Sequence, residues 1–579
     1  MAFSSAILHP SLSSFTSSCD KNTIRRRRHG GLKPMVQCCS GLGENHAQKL
    51  KEAKHLFTKR RQLSVAKDEE VLVMIDALQR LGIDYHFQED IEAVLNDELG
   101  DAAKMAAEGS GREDGHLFQV SLNFRLLRQQ GHRCPSDVFN KLKNREGMFL
   151  SRFGHQNVQS LMQLYEASQW LTPAEHILHE AREFSARRLR SWTAANPSQY
   201  DPLGQLATRK AVANTLKHPC HRSMPRLAIK DYLSSFRGTL ITNKRQSYYY
   251  VETLKDLALL DCKINRAIHH KELGQLSRWW DEVGLAANVG RDRLLVKASA
   301  WPMATLSGSE FAECRVELAK IIAIVYLIDD IFDTYGSLEE LTLFAEAVTR
   351  WDSDTVEKLP EIMRTCFVAL YHTTNQIGYQ VYRKHGWNPM HSLKQAWAKL
   401  FEAFLVEARW LRTKECPKSD DYLKTGIVTS GVPLLLVHFF FMLGKGLTEQ
   451  NAGLVDGDEP PLISSVAKIL RLSDDLSSMY EEQVGYDGSY VDCYMKEHPG
   501  VSVHEATKHV ADMIEDTWKQ LNHEYLSPAV PLPTAFGKAV VDSAKMVPLM
   551  YGNGVVDDDD DDREYSNIDR SQSLQKNAY

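Results

Sequence analysis

The sequence predicts an all-α protein built as two helical domains. Apolar residues recur at spacings of three and four from Ala47 onward, as amphipathic helices require. Alternating Val/Ile/Thr runs bounded by Asn-Gly or Asp-Gly turns, the mark of hairpins, are nearly absent. With 579 residues the chain is also too long for one hydrophobic core.

The first 43 residues stand apart. Met1–Cys19 holds seven serines and no acid; Lys21, Arg25–Arg28 and Lys33 follow, with Asp20 the only carboxylate among them. The stretch lacks a continuous apolar centre, so it does not fit a secretory signal. A Ser- and Arg-rich, acid-poor leader fits an organelle transit peptide, here for a plastid, and a plain disordered tail is the alternative. Order is expected to begin near Glu44–Leu56. Val71, Leu72, Ile75, Leu78 and Leu81 then mark one buried helix face, stopped by Gly82. Val138, Phe139 and Leu142 continue the pattern, as do Leu161, Leu164 and Tyr165. The helical halves are placed at 44–261 and 262–579, with no long linker between them and no internal repeat. Near the end, Asp557–Asp562 is a run of six aspartates. Like charges in a block repel and stay solvated, so it is expected to be a loop rather than a metal site.

Composition excludes several classes of function. The chain is 43% apolar and 25% charged with net charge −6, and no basic face with interleaved aromatics suggests nucleic acid. Its longest apolar stretches, such as Ile321–Ile328 and Val432–Leu443, fall short of the roughly 20 residues that span a bilayer, so they are expected to be buried helices and no membrane is expected. Ten cysteines without CxxC spacing fit a reducing compartment and argue against a disulfide framework or a zinc site.

The residues that carry chemistry cluster in the second half. Asp329-Asp330-Ile-Phe-Asp333 closes a helix predicted to start at Ser307, where Ser307 and Glu310 have capping-box spacing. The helix is apolar almost all round, so carboxylates at its end repel one another and lose hydration unless a cation or hydrogen bonds compensate. Asp329 and Asp333 share one face, and two hard oxygen ligands with room for water suit Mg²⁺. An exposed acidic cap is the alternative. A second set, Asp474, Ser478 and Glu482, repeats at i, i+4 and i+8 and so forms another stripe, drifting by about 80°. Arg471 lies one turn earlier, where a planar fork could grip phosphate oxygens. Arg291-Asp292-Arg293 offers either surface ion pairs or, with two metal sets present, a diphosphate clamp.

Together these motifs resemble the plant terpene synthases, over nearly all of the chain from Ala47 to about Gly554. Asp329–Asp333 is similar to that family's aspartate-rich motif, and Asp474/Ser478/Glu482 to its second metal motif. Arg291 and Arg293 are similar to its RxR loop, and Arg471 to the arginine before the second motif. Phe124–His132, Tyr165–Ser168, Arg278-Trp-Trp280 and Thr429-Ser-Gly431 support the likeness. The resemblance implies a C-terminal catalytic domain with the class I terpenoid synthase fold and an N-terminal, α-barrel-like domain without chemistry of its own. It also implies three Mg²⁺ ions, with Mn²⁺ as a substitute, a prenyl diphosphate as substrate, and a monomer. Asp329 and Asp333 would hold two ions and Asp474, Ser478 and Glu482 the third. Arg291, Arg293 and Arg471 would hold diphosphate, and Trp301 would face the carbocation. In the family a tryptophan follows the RxR loop by seven residues; Trp301 stands eight beyond Arg293.

Two absences sharpen the expectation. No DxDD motif occurs in the N-terminal half, so the reaction should begin with loss of diphosphate rather than protonation of an alkene. Many cyclising plastid relatives carry tandem arginines with a tryptophan eight residues on; here the first tryptophan is Trp170. Together with Trp301-Pro-Met, this resembles the subfamily that makes acyclic tertiary alcohols. Geranyl diphosphate would give linalool and farnesyl diphosphate nerolidol, with a cyclic monoterpene as the remaining alternative. A chain-elongating prenyltransferase would need two DDxxD motifs, and a non-catalytic scaffold would show decayed ligands; neither pattern is present.

Overall fold

The structure is a computed structural model that describes residues 33–551, apart from 64–68, 106–112, 144–148, 150–157, 195–201, 226–228, 230–231, 233–244, 286–290, 353–355, 458–459, 482–487 and 528–531. The described residues are helical and contain no strand, only one isolated bridge between Lys143 and Phe149. They fall into two compact units that part at Ala267/Ile268, with Tyr525–Ser527 grouped with the first.

The first unit is built from α1 (Lys33–Leu63), α2 (Glu69–Arg80), α3 (Gln88–Met105), α4 (Glu113–Gln129), α5 (Val158–Ser168), α6 (His176–Ala194), α7 (Pro202–Lys217) and the start of α8 (Arg245–Glu282). Val71, Leu72, Ile75, Leu78 and Leu81 are all buried, as their spacing predicts. The chain reverses at Gly82, whose φ of 64° is the left-handed conformation that glycine adopts without a Cβ clash. Val138, Phe139 and Leu142 sit in a 3₁₀ stretch, Ser136–Leu142, rather than an α-helix. The buried motif arginines have structural partners. Arg128 holds Glu175 and the carbonyls of Cys134 and Trp170, and Arg125 pairs with Asp76.

Three sequence expectations change. The described residues start with a helix at Lys33, so positions 33–43 of the expected leader are helical; Pro34 fits there because a first-turn residue needs no amide donor. Residues 1–32 and the Asp557–Asp562 run lie outside the described residues. The expected border at 261/262 falls inside the continuous helix α8. The third change concerns Ser307.

The second unit continues with α9 (Arg291–Thr305) and α10 (Ala312–Asp330), which pack along each other. Helix α10 starts at Ala312 after a 3₁₀ turn, Ser309–Phe311, and not at a Ser307 cap. Gly308 has φ 98° there, and the buried Arg315 guanidinium takes up the carbonyls of Leu306 and Gly308 while pairing with Glu272 at 2.6 Å. The guanidinium thus fixes the turn before the helix rather than capping its amides. Then follow α11 (Leu338–Arg350), α12 (Glu361–His385), α13 (Met390–Thr413), α14 (Ser419–Thr429), α15 (Val432–Leu443), α16 (Glu449–Asp456), α17 (Pro461–Glu481), α18 (Tyr490–Glu497), α19 (Val503–Tyr525) and α20 (Thr534–Tyr551). Helix α10 packs on α12 and α15; α17 packs on α14, α15 and α20; and α20 also reaches α9.

Residues 419–443 are long and apolar enough to cross a membrane, yet most of that stretch is buried within the fold. Gly431, at φ 69°, breaks it into α14 and α15. A side chain there would be strained by the backbone and would press on Val325, 3.1 Å from the added Cβ.

Inside α15, His438 is fully buried, with Nδ1 donating to the Leu434 carbonyl at 2.8 Å. Burial pushes its pKa down to about 4. A histidine depressed in the fold adds stability above its unfolded pKa near 6.5 and loses it as pH falls toward 4. Between pH 7 and pH 5 the wild-type chain should therefore lose about 2 kcal/mol that His438→Phe retains. Denaturant unfolding of both proteins at the two pH values measures this.

Candidate active site

The run Ile321–Ile328 is apolar on every side, and its burial carries Asp329 into the interior with it. Past Asp330 the helix widens into a π-turn, Ile331–Tyr335, closed by the Gly336 amide donating to the Ile331 carbonyl at 3.3 Å. Such turns concentrate at functional sites because they re-aim side chains without ending the helix. Asp333 lies in this turn, half-buried. Burial pushes the Asp329 carboxyl up to about 7; the charges of Asp333 and Glu407 push the same way and Arg471 opposes them. Its Oδ1 is buried without a hydrogen-bond partner among the described residues.

The second set is presented by α17. Asp474 is buried and also pushed up to about 7, chiefly by lost hydration. Asp475 and Asp329 add to that rise while Arg471 and Lys297 resist it. Asp329 and Asp474, far apart in sequence, are thus close enough for one charge to perturb the other. Ser478 sits half-buried one turn on, its Oγ donating to the Asp474 carbonyl at 3.0 Å. Glu482 lies outside the described residues. Arg291 and Arg293 fall in the first turn of α9, and their side chains are likewise outside the description.

Arg471 departs from expectation. It is fully buried, its Nε donating to the Gly426 carbonyl at 3.3 Å and a terminal nitrogen donating to Thr429 Oγ1 at 2.8 Å. Thr429 in turn donates to Glu407 Oε1, which lies 3.8 Å from the guanidinium. Its fork is therefore directed at protein oxygens rather than held open for phosphate. A Cβ on Gly426 would come within 2.7 Å of Arg471 Nε, so glycine is what lets the two helices approach.

Several site residues escaped sequence reasoning. Glu407 comes from α13, whose pattern is that of any amphipathic helix, and no local signal marks it. Asp475 is buried beside Asp474 and is satisfied by the Tyr422 hydroxyl (2.9 Å) and the Tyr490 amide (3.0 Å). Lys297 places Nζ 4.5 Å from the centre of the Tyr326 ring, with its charge facing Asp474, Asp329 and Asp330. It precedes Trp301 by four positions, so one helix face carries both; that spacing was readable.

Beside the carboxylates lies an apolar cavity of about 510 Å³, part of it open to solvent. Trp301, Ile321, Val325 and Tyr326 line it together with Gly431, Leu436, Leu470 and Ser543. Trp301 is buried there, as its expected role requires. The donor set fits Mg²⁺: oxygens only, too dry to stay ionised together without a cation, and one of them lacking a hydrogen-bond partner among the described residues.

This arrangement defines a helical protein with a buried, all-oxygen set suited to a divalent cation beside an apolar, aromatic-lined cavity. The chain belongs to the terpene synthase family. The terpene synthase metal-binding domain matches residues 281–520, and the terpene synthase N-terminal domain matches 34–216. Probable terpene synthase 4 of Ricinus communis is 48% identical over 87% of this chain and 86% of its own length. An (E)-nerolidol synthase of Cannabis sativa is 41% identical (83% and 85%), and the chloroplastic S-(+)-linalool synthase of Arabidopsis thaliana is 37% identical (90% and 86%). Among solved structures, isoprene synthase from grey poplar, in complex with three Mg²⁺ ions and dimethylallyl-S-thiolodiphosphate, superimposes with a TM-score of 0.77 at 30% identity, covering 92% of this chain and 97% of that one. As a terpene synthase, the chain is a lyase that acts on a prenyl diphosphate.

Proposed function

We propose that the chain converts geranyl diphosphate to linalool. The observation that carries this reading is that two buried carboxylates, Asp329 with its Oδ1 unpartnered among the described residues and Asp474 from a separate helix, stand beside the cavity lined by Trp301. Asp329 and Asp333 would hold Mg²⁺ from one side, and Asp474, Ser478 and Glu482 from the other. The bound ions, or Mn²⁺ in their place, supply positive charge that stabilises the departing diphosphate.

The chain's own groups do the rest. Arg291 and Arg293 bind the diphosphate at the start of α9. Arg471 acts from beneath: its buried charge keeps Asp474 ionisable, and its hydrogen bonds fix the α14–α15 break. Buried fixed charges of this kind are worth about 4 kcal/mol each at close range in an effective dielectric near 20. As the allylic C–O bond breaks, its electron pair leaves with diphosphate. The Trp301 and Tyr326 faces stabilise the ten-carbon cation, and water adds at the tertiary carbon before ring closure, its proton passing to solvent. The acyclic outcome is supported by the lack of a leader tryptophan and by the relatives named for linalool and nerolidol. (E)-Nerolidol from farnesyl diphosphate is the second reading.

The leader supports a plastid location, and several relatives are named chloroplastic. We propose that the leader is followed by an N-terminal domain and, from about Ile268, where the two compact units part, by the catalytic domain of a monomer. Incubation with geranyl and farnesyl diphosphate separately, with Mg²⁺, followed by chiral gas chromatography, tests the proposal. Linalool from the ten-carbon substrate is expected; mainly cyclic hydrocarbons would sink it. Trp301→Leu should lower kcat about 3- to 30-fold, the worth of one cation–π contact, with pyrophosphate affinity unchanged.

A further inference from the structure

We propose that His46, His86 and Asp261 bind one borderline transition-metal ion, Zn²⁺ by chemical class, in the N-terminal unit. The three residues come from separate elements: α1 carries His46, a 3₁₀ turn (Asp84–His86) carries His86, and α8 carries Asp261. Their ligand atoms converge. His46 Nε2 lies 3.3 Å from Asp261 Oδ1 and His86 Nε2 lies 3.0 Å from it, and all three atoms fall within 4.8 Å of one another. A tetrahedral ion with bonds of about 2.0–2.1 Å holds its ligands roughly 3.3 Å apart, which the two nitrogen–oxygen separations match.

Hydrogen bonding alone leaves the cluster over-subscribed. Asp261 Oδ1 also accepts from the Tyr85 hydroxyl at 2.5 Å, so three groups compete for an oxygen with two lone pairs. An ion among the two imidazoles and Oδ1 resolves that competition, because each nitrogen then offers its lone pair to metal instead of a proton to oxygen. The carboxylate is already aimed: Asn265 Nδ2 donates to Oδ2 at 2.7 Å, and orienting bonds of this kind commonly support metal ligands. The imidazole centres are 5.2 Å apart and tilted by 55°, so neither ring blocks the other. All three side chains are largely buried, with 13% and 17% exposure for the histidines and 5% for the aspartate. Two imidazoles and one carboxylate select zinc-like ions over Mg²⁺, which prefers oxygen alone. The missing CxxC pattern excludes a thiolate zinc site but not this one. Bound metal would tie α1 to α8 within the unit and so add to its stability.

The test uses the full chain with Mg²⁺ in excess. Co²⁺ is titrated while visible absorption and thermal unfolding are followed, and Zn²⁺ is then added. The expected result is a saturable four-coordinate Co²⁺ band at one ion per chain, displaced by Zn²⁺, with a higher Tm. His46→Gln and Asp261→Asn should each abolish the band, with circular dichroism showing that the helices persist. If one variant fails to fold, the other carries the comparison. Absence of a four-coordinate band in the wild-type chain, or a band unchanged in the folded variants, would overturn the proposal and leave a hydrogen-bonded clasp.

Discussion

Asp329→Ala should lower kcat/KM by at least about 10²–10³-fold, the cost of removing one preorganised charge-stabilising contact from a transition state. A helical scaffold that had merely kept the fold would be indifferent to the change. The same substitution should leave the metal-free protein as stable as before, or more stable at alkaline pH, because the wild-type carboxylate is a buried charge that Arg471 and Lys297 offset only in part. The sign follows from its pKa, pushed up to about 7 in the fold from an ordinary value of 3.8. A carboxylate raised in this way contributes stability below its unfolded pKa and loses it as pH rises through 7. In chelator, wild-type Tm should therefore fall between pH 5 and pH 8 more steeply than that of Asp329→Ala, and Mg²⁺ should reverse most of the fall. Steady-state kinetics with geranyl diphosphate and paired melting curves measure both effects.

Arg471→Leu should be the most destabilising single change at the site, by about 3–5 kcal/mol, as expected when one partner of a buried charge network is removed. Glu407 then loses its nearby cation, Asp474 and Asp475 lose the charge that opposes their desolvation, and the Gly426 carbonyl loses a donor. Leucine fills much of the volume, so the loss reports charge rather than packing. Arg471→Lys should recover only part of it, since an ammonium cannot reach Gly426 and Thr429 with one planar fork. Denaturant unfolding of the three proteins, with pyrophosphate affinity read alongside, separates this positioning role from direct phosphate contact. Direct contact would weaken binding while leaving stability intact.

The two acidic sets were legible because their residue types repeat at helical spacing. Asp329 with Asp333, and Asp474 with Ser478, needed only the period of an α-helix and the cost of burying charge. The period did not show that Asp333 falls on a π-turn, because widening by one residue depends on how Ile331 and Phe332 pack against neighbouring helices. Glu407 was invisible for a related reason: a single acid on an amphipathic helix reads as solvated until its neighbours are known. The Ser307 start failed because a turn at Gly308–Phe311 intervenes, held by Arg315 donating to the Leu306 and Gly308 carbonyls, and local spacing does not reveal that contact. The transit-like leader was legible as composition, but its end was not, since Pro34 can begin a helix as readily as it can sit in a coil.

The account depends on two carboxylate sets sharing one cluster of divalent ions. Calorimetric titration of inorganic pyrophosphate with Mg²⁺ into wild type, Asp329→Ala, Glu482→Ala and the double variant tests this most directly. If the sets act on one cluster, each single change should remove nearly all pyrophosphate binding and the double change should add almost nothing further. Independent, additive losses from two separate binding events would contradict it.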